Sequence, residues 1–242
     1  SSHGRYRSLG NSNSGNSSSH HRVSDFNQSS EGTVCFTGDT LVETYCQGAP
    51  RVCKIADLNP GDRIAGNLFD SEGHIIDIKH APGAASTRPY EILTIVETIC
   101  PDGYADLVEL LPGCRATPWH PMSWKNRIGN TWKPACKYGV IRRIPCKSVF
   151  SFVLQDGAMI AFPYTYPTLP QPSCSIGLPH YHGATLGHGN ICSGLAHPFW
   201  GTEKVIEALK KLPNYPCVTI TPSMIKRNGD AFSDGSGYEV SD

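Results

Sequence analysis

Cys35, Thr117 and His120 are the residues of this sequence whose types and spacing could act together on a peptide bond. Cys35 follows Val34 at the border between a Ser/Asn/Gly-rich leader and the first apolar residues, so its thiol lies next to the bond that joins the two. A thiol in that place can add to the carbonyl of Val34 and convert the amide into a thioester. We therefore predict Val34–Cys35 as a scissile bond and Cys35 as its nucleophile.

Such a reaction also needs donors for the tetrahedral oxyanion and a proton for the leaving nitrogen. His120 is the candidate proton donor, because imidazole delivers protons near neutral pH. Thr117 lies three residues before it, on the approach to a turn, where its hydroxyl could grip the carbonyl or strain the amide. The spacing alone leaves a second interpretation open, in which His120 only caps a turn before Pro121.

The elements that must position these residues are predicted to be strands, because turn signals separate short runs rich in β-branched residues. The predicted strands are Thr40–Tyr45, Arg63–Ala65, Tyr90–Ile99, Ala105–Leu111 and Val140–Ile144. Ser151–Ile160 is predicted as a hairpin, since Asp156-Gly157 between apolar runs favours a turn whose central residues have positive φ.

One helix is expected in the last part of the sequence. Thr202 is a suitable N-cap, and Pro213 ends the helix. Its apolar stripe consists of Val205, Ile206, Leu209 and Leu212. The predicted fold class is therefore mainly β with one short C-terminal helix.

The composition narrows the possible partners. The 242 residues include 21 basic and 21 acidic side chains, which argues against nucleic acid because phosphate contacts need a local excess of Lys and Arg. No apolar run is long enough to span a bilayer, and the first residues lack the apolar core of a signal peptide. We predict no membrane partner and favour the cytoplasm, although a signal upstream of Ser1 would lie outside this sequence.

The polarity of the chain ends predicts three segments. Residues 1–31 are predicted to be a disordered Ser/Asn/Gly-rich linker, because they cannot bury enough apolar surface to offset chain entropy. Residues 228–242 are predicted to be a flexible tail for the same reason. Residues 32–227 are left as one folded domain with a helical extension.

Cysteine and histidine give no metal signature. The ten cysteines include no Cys-x-x-Cys pair, and most are interpreted as buried thiols. A group of possible ligands lies in the last third of the chain: Cys174, His180, His182, His188, Cys192 and His197. Their spacing fits no familiar zinc module. We predict no metal and no cofactor, and interpret His188 and His197 as turn residues.

Three blocks of sequence resemble Hint domains, the autoprocessing fold shared by hedgehog proteins and inteins. Cys35–Thr40 looks like their opening block, Ile55–Ile64 resembles the I-x-x-L-x-x-G-D-x-V block, and Thr117–Pro121 matches the Thr-x-x-His block. Further on, Ala184–Gly189 and His197–Val205 resemble a narrower branch, the Vint subfamily, whose members occur with von Willebrand A domains.

The resemblance implies a horseshoe-shaped fold of two pseudo-symmetric halves with Cys35 in a central cleft. It implies that Cys35 is the nucleophile of an N-to-S acyl shift and that Thr117 and His120 activate the bond. Hedgehog-type members also carry an acidic residue on a strand upstream of the threonine. Aligning Tyr90–Glu97 with that strand puts Glu97 at the position of the acid. His188 falls in the subfamily block and is a candidate cleft residue.

The resemblance also implies partners: an upstream domain in the same polypeptide, of von Willebrand A type, and water or an external thiol or amine that resolves the thioester. Splicing inteins end in His-Asn, and no such pair occurs here, so release of the upstream segment is expected instead of splicing. Two alternatives stay open. One is a catalytically silent Hint-fold scaffold or interaction module, and the other is a thiol hydrolase that acts on other molecules.

Overall fold

A computed structural model describes residues 34–77, 87–126, 129–162, 181–187 and 202–221. The predicted linker and tail lie outside these residues, as does His188. Among the described residues, fourteen strands form one open sheet that is antiparallel except for one parallel pair. The prediction of a mainly β fold with one helix is confirmed.

The strands are β1 (Phe36–Thr37), β2 (Leu41–Cys46), β3 (Ala49–Lys54), β4 (Arg63–Asn67), β5 (Arg88–Ile99), β6 (Tyr104–Leu111), β7 (Cys114–Ala116), β8 (Pro121–Asn126), β9 (Gly129–Pro134), β10 (Ile141–Pro145), β11 (Ser148–Leu154), β12 (Met159–Phe162), β13 (Tyr181–Gly183) and β14 (Cys217–Ile220). Their order across the sheet is β10-β6-β7-β1-β11-β5-β4-β12-β13-β8-β9, with β2 beside β3 and β4 and with β14 beside β5. Each of the five predicted single strands matches an observed strand to within two residues at either end.

The short strand β1 positions Cys35. It runs antiparallel to both of its neighbours, with Phe36 opposite Ala116 of β7 on one side and opposite Phe150 of β11 on the other. Phe36 is buried in the main apolar core. Because side chains alternate along a strand, the thiol of Cys35 emerges on the other face of the sheet from the Phe36 ring. Cys35 therefore lies between β7, which leads into Thr117, and β11, which begins at Ser148.

The predicted hairpin at Ser151–Ile160 is wrong in its pairing and right in its turn. Asp156 and Gly157 have φ of 57° and 67°, as the Asp-Gly signal requires. The flanking strands nevertheless separate, because β11 pairs with β1 and β5 whereas β12 pairs with β4 and β13. The Asp-Gly sequence therefore predicts the φ angles of the turn, whereas the pairing of each flanking strand depends on strands that are distant in the sequence.

The predicted helix is confirmed as α1 (Glu203–Lys210), and the Thr202 hydroxyl caps it by accepting a hydrogen bond from the Lys204 amide at 3.3 Å. Val205 and Leu209 on its apolar stripe are fully buried. They pack in a cluster that brings together β5, β11, β14 and the partly buried Val34. None of the described helices has the length and apolarity to cross a membrane. The helix therefore packs in the same apolar cluster as Val34, the residue that precedes Cys35.

Leu209→Ala should lower the free energy of unfolding by about 2–5 kcal/mol, because it removes a fully buried side chain and leaves a cavity. Lys204→Ala on the exposed face of the same helix is the matched control and should change it by less than about 0.5 kcal/mol. Urea unfolding followed by circular dichroism measures both. Equal effects of the two variants would contradict the packing of α1 described here.

Candidate active site

Thr117 binds the backbone of Cys35 on both sides of its α-carbon. The Cys35 amide donates to Thr117 Oγ1 at 3.1 Å. The Cys35 carbonyl accepts from the Thr117 amide at 2.9 Å and from the Thr117 hydroxyl at 3.3 Å. Both residues are buried. The nitrogen that must leave in an acyl shift is therefore held by the hydroxyl that the sequence singled out.

The Thr-x-x-His spacing forms one tight turn. The His120 amide donates to the Thr117 carbonyl at 3.1 Å, which folds the ring back toward the Cys35 backbone. The turn is tied down from outside, because Cys136 donates its amide to the Pro118 carbonyl at 2.8 Å and Ala135 donates its amide to the His120 carbonyl at 2.9 Å. A histidine three residues after Thr117 thus reaches the Cys35 carbonyl, which Thr117 also binds and which belongs to the peptide that follows the predicted scissile bond.

The His120 ring is completely buried between two carbonyl groups. Its Nδ1 lies 3.2 Å from the Cys35 oxygen, and its Nε2 lies 2.8 Å from the Ala184 oxygen. A carbonyl only accepts hydrogen bonds, so a neutral imidazole can satisfy one of these contacts and an imidazolium satisfies both. A hydrogen on either ring nitrogen is therefore held by a carbonyl group. The ring also packs against Phe36 in a tilted arrangement, with centroids 4.1 Å apart and an interplanar angle of 43°.

Ser151 completes the site, and sequence reasoning missed it. Its hydroxyl donates to the carbonyl oxygen of Val34 at 2.5 Å, and its Oγ lies 3.0 Å from the sulfur of Cys35. Ser151 is 6% exposed and lies in β11, in which Val149 and Phe152 are also buried. The signal available in the sequence was a serine inside an apolar strand, because a polar group that is buried in such a strand needs a hydrogen-bond partner.

Comparison with protein families agrees with this geometry. A family model described as Vint, a Hint domain, matches residues 34–231. The chain belongs to the Vint family of Hint domains. Membership in this family supports self-processing as the kind of activity. A search of curated proteins finds no match.

The Vint domain does not bring Glu97 to the other site residues. Phe36, Phe150 and Glu97 stand opposite one another across β1, β11 and β5. Because side chains alternate along each strand, Glu97 lies on the face of the sheet opposite to the one shared by Cys35 and Ser151. Its half-buried carboxylate has Thr219 of β14 as its other neighbour in register. The role that the resemblance implies for Glu97 stays a prediction.

The histidine-rich segment is only partly described. Of its six candidate metal ligands, His182 alone lies within the described residues, where it is buried with Nε2 2.8 Å from Asn67 Oδ1. His188 and the other candidates fall outside them. Within the described ranges no group of three His, Cys, Asp or Glu side chains is arranged to hold a metal ion.

The cysteines are less buried than the sequence predicted. All eight described cysteines are free thiols, and only Cys35, Cys100 and Cys114 are fully buried. Cys35 packs in one cluster with Cys100 and the partly buried Cys146. A hydrogen bond from Cys100 lowers the pKa of Cys146 to about 7, and the same bond raises the pKa of Cys100. A pair of thiols, Cys100 and Cys146, therefore lies next to Cys35.

Thr117→Val should lower the free energy of unfolding by about 1–3 kcal/mol, because the isosteric side chain leaves the buried Cys35 amide without its acceptor. Thr117→Ser keeps the hydroxyl and should cost less. Both are measured by urea unfolding in a Cys35→Ala background, which removes the predicted nucleophile. Equal stability of the two variants would contradict the contact between Thr117 and Cys35.

Alkylation of Cys146 by iodoacetamide should rise most steeply around pH 7, because the thiolate is the reacting form and the pKa of Cys146 lies at about 7. Cys100→Ala removes the donor that stabilises this thiolate, so the rise should move to higher pH. Peptide mass spectrometry gives the modified fraction at each pH. An unchanged profile in Cys100→Ala would show that the bond between the two thiols does not set the pKa of Cys146.

Proposed function

We propose that this Vint domain cleaves its own chain at Val34–Cys35 through an N-to-S acyl shift. The observation that carries the proposal is that all three groups of the reaction contact side chains. The Val34 carbonyl contacts Ser151, the Cys35 amide contacts Thr117, and the thiol contacts Ser151. Family membership supports self-processing in general, and these contacts support the particular bond.

The reaction proceeds in two steps. The sulfur of Cys35 adds to the carbonyl carbon of Val34, a C–S bond forms, and the electron pair of the C=O bond moves to oxygen. The C–N bond then breaks, the carbonyl re-forms as a thioester, and the nitrogen of Cys35 takes a proton and leaves as an amine. Net, one hydrogen moves from sulfur to nitrogen and no atom is lost.

The site residues have distinct roles in this scheme. Thr117 fixes the plane of the scissile amide through its N–H. His120 is the proton donor to the departing nitrogen, because its Nδ1 lies 3.2 Å from the Cys35 carbonyl oxygen and imidazole can deliver a proton near neutral pH. Water or an external thiol or amine then attacks the thioester and releases the segment that ends at Val34.

The surroundings favour an external acceptor over water. Cys35 is fully buried, and Val34 carries a β-branched side chain that crowds the carbonyl under attack. Hydrolysis of the thioester should therefore be slow, and a small thiol should speed release. The upstream partner is a domain of the same polypeptide, for which the von Willebrand A type is our proposal.

Intact mass spectrometry of the purified 242-residue chain, with and without dithiothreitol, tests the proposal. We expect a leader ending at Val34 and a fragment beginning at Cys35, with the thiol accelerating their appearance. Cys35→Ala should abolish cleavage, and His120→Ala should slow it by about 10²–10⁴-fold. Cys114→Ala, a change at another buried thiol that packs in a different apolar cluster from Cys35, is the matched control and should leave cleavage unchanged.

The outcomes separate the alternatives. A single uncleaved mass under both conditions, in protein that unfolds cooperatively in urea, overturns self-cleavage and leaves the scaffold interpretation. A rate that does not depend on protein concentration supports action in cis. Cleavage of Cys35→Ala protein by added wild-type protein would instead support a hydrolase that acts on other molecules.

A further inference from the structure

The hydroxyl of Ser151 touches both of the groups that must react. It lies 3.0 Å from the sulfur that attacks and 2.5 Å from the oxygen of the carbonyl that is attacked. Ser151 is separated from Cys35 by 116 positions in the sequence, so the contact depends on the antiparallel register of β1 and β11. One side chain therefore connects nucleophile and electrophile.

The direction of the two hydrogen bonds follows from counting hydrogens. A serine hydroxyl has one hydrogen to donate and lone pairs to accept, and a carbonyl oxygen can only accept. The contact with Val34 therefore uses the single Ser151 hydrogen. The contact with Cys35 must then run the other way, with the thiol donating to Ser151 Oγ. The Cys35 thiol therefore donates to the Ser151 hydroxyl, and the Ser151 hydroxyl donates to the Val34 carbonyl oxygen.

We infer that Ser151 is a catalytic residue of the acyl shift, which passes the thiol proton to the oxygen of the scissile carbonyl. The inference rests on the proposed function and adds a residue and a proton path to it. Ser151 also polarises the Val34 carbonyl before attack, because its hydrogen bond withdraws electron density toward oxygen.

The step balances. As the C–S bond forms, the thiol hydrogen moves to Ser151 Oγ, and the original Ser151 hydrogen moves to the Val34 oxygen, which receives the electron pair of the C=O bond. The adduct is neutral, and no separate thiolate or oxyanion has to be sustained in a buried site. When the C–N bond breaks, the departing nitrogen takes a proton from His120, and the adduct oxygen gives up its hydrogen as the carbonyl re-forms. That hydrogen replaces the proton that His120 has lost, so the net result is one hydrogen moved from sulfur to nitrogen.

Burial explains why a relay is favourable here. Cys35 is inaccessible to solvent and Ser151 is 6% exposed. A thiolate without partners would be costly in such a place. Transfer within a preformed hydrogen-bonded chain avoids that cost and needs no water.

The rate of thiol-induced cleavage in the full chain tests the inference. Ser151→Ala should slow cleavage by about 10²–10³-fold, which is the usual loss when one oxyanion donor is removed. Its rate should also rise more steeply with pH than that of the wild type, because the thiol must now lose its proton to solvent. Ser151→Thr keeps the hydroxyl and should restore most of the rate.

Ser123→Ala is the matched control. Ser123 is a buried β8 serine whose hydroxyl has no hydrogen-bond partner among the described residues. Its removal should leave cleavage unchanged. Urea unfolding of all variants shows that the comparison is made between folded proteins.

A second measurement follows the hydrogen bond itself in uncleaved protein. In a His120→Ala background, ¹³C-carbonyl valine and ¹⁵N-cysteine labelling selects the Val34–Cys35 and Val52–Cys53 peptides, the second serving as internal reference. Adding Ser151→Ala should move the Val34 carbonyl resonance upfield and leave that of Val52 in place. A resonance that does not move would overturn the contact.

The failure of this inference differs from the failure of the proposed function. If the wild type cleaves, Cys35→Ala does not, and Ser151→Ala cleaves at the wild-type rate, the proton path is wrong and self-cleavage stands. If the folded wild type yields no fragment with thiol, self-cleavage is overturned and the catalytic role of Ser151 with it.

Discussion

The Val34–Cys35 peptide lies at the junction of β1, β7 and β11, where Cys35 is fully buried and Val34 is partly buried, and its polar groups find partners within the protein. A buried amide that lacks a hydrogen bond costs about 1–3 kcal/mol in free energy. Here the carbonyl on one side of the bond is held by Ser151 and the N–H on the other side by Thr117. These partners are hydroxyls, which can also move hydrogens, so the contacts that satisfy the peptide are the same ones that the proposed reaction uses.

The two hydroxyls are brought in by different parts of the sheet. Thr117 follows β7 and Ser151 lies in β11, and β1 is the two-residue strand that pairs with both. A shift of one residue in either register would turn the thiol of Cys35 to the other face, since side chains alternate along a strand. The geometry of the site is therefore set by pairing across the sheet more than by the residues next to Cys35.

This origin explains which parts of the site the sequence revealed. Thr117 and His120 were predictable because their relation is local: a spacing of three positions in one turn lets both contact the Cys35 carbonyl oxygen. Ser151 was not, because its contact spans 116 positions and serine occurs in many other places in the chain. The fold shows the same division. The cap of α1 at Thr202 was correct from local signals, whereas the hairpin around Asp156 failed because its strands pair with distant partners.

Residues from the C-terminal part of the described chain also contact the candidate site. The carbonyl of Ala184 faces Nε2 of His120 and thereby fixes which way the ring points. Two residues on, the amide of Leu186 donates to the Phe152 carbonyl at 2.8 Å, next to Ser151. Leu186 in turn packs in the cluster of α1 that reaches Val34. Residues 184–186 therefore contact His120 and the strand of Ser151. Through Leu186 they also join the apolar cluster in which α1 and the partly buried Val34 pack, so the C-terminal part of the domain supports both sides of the bond that we propose is cleaved.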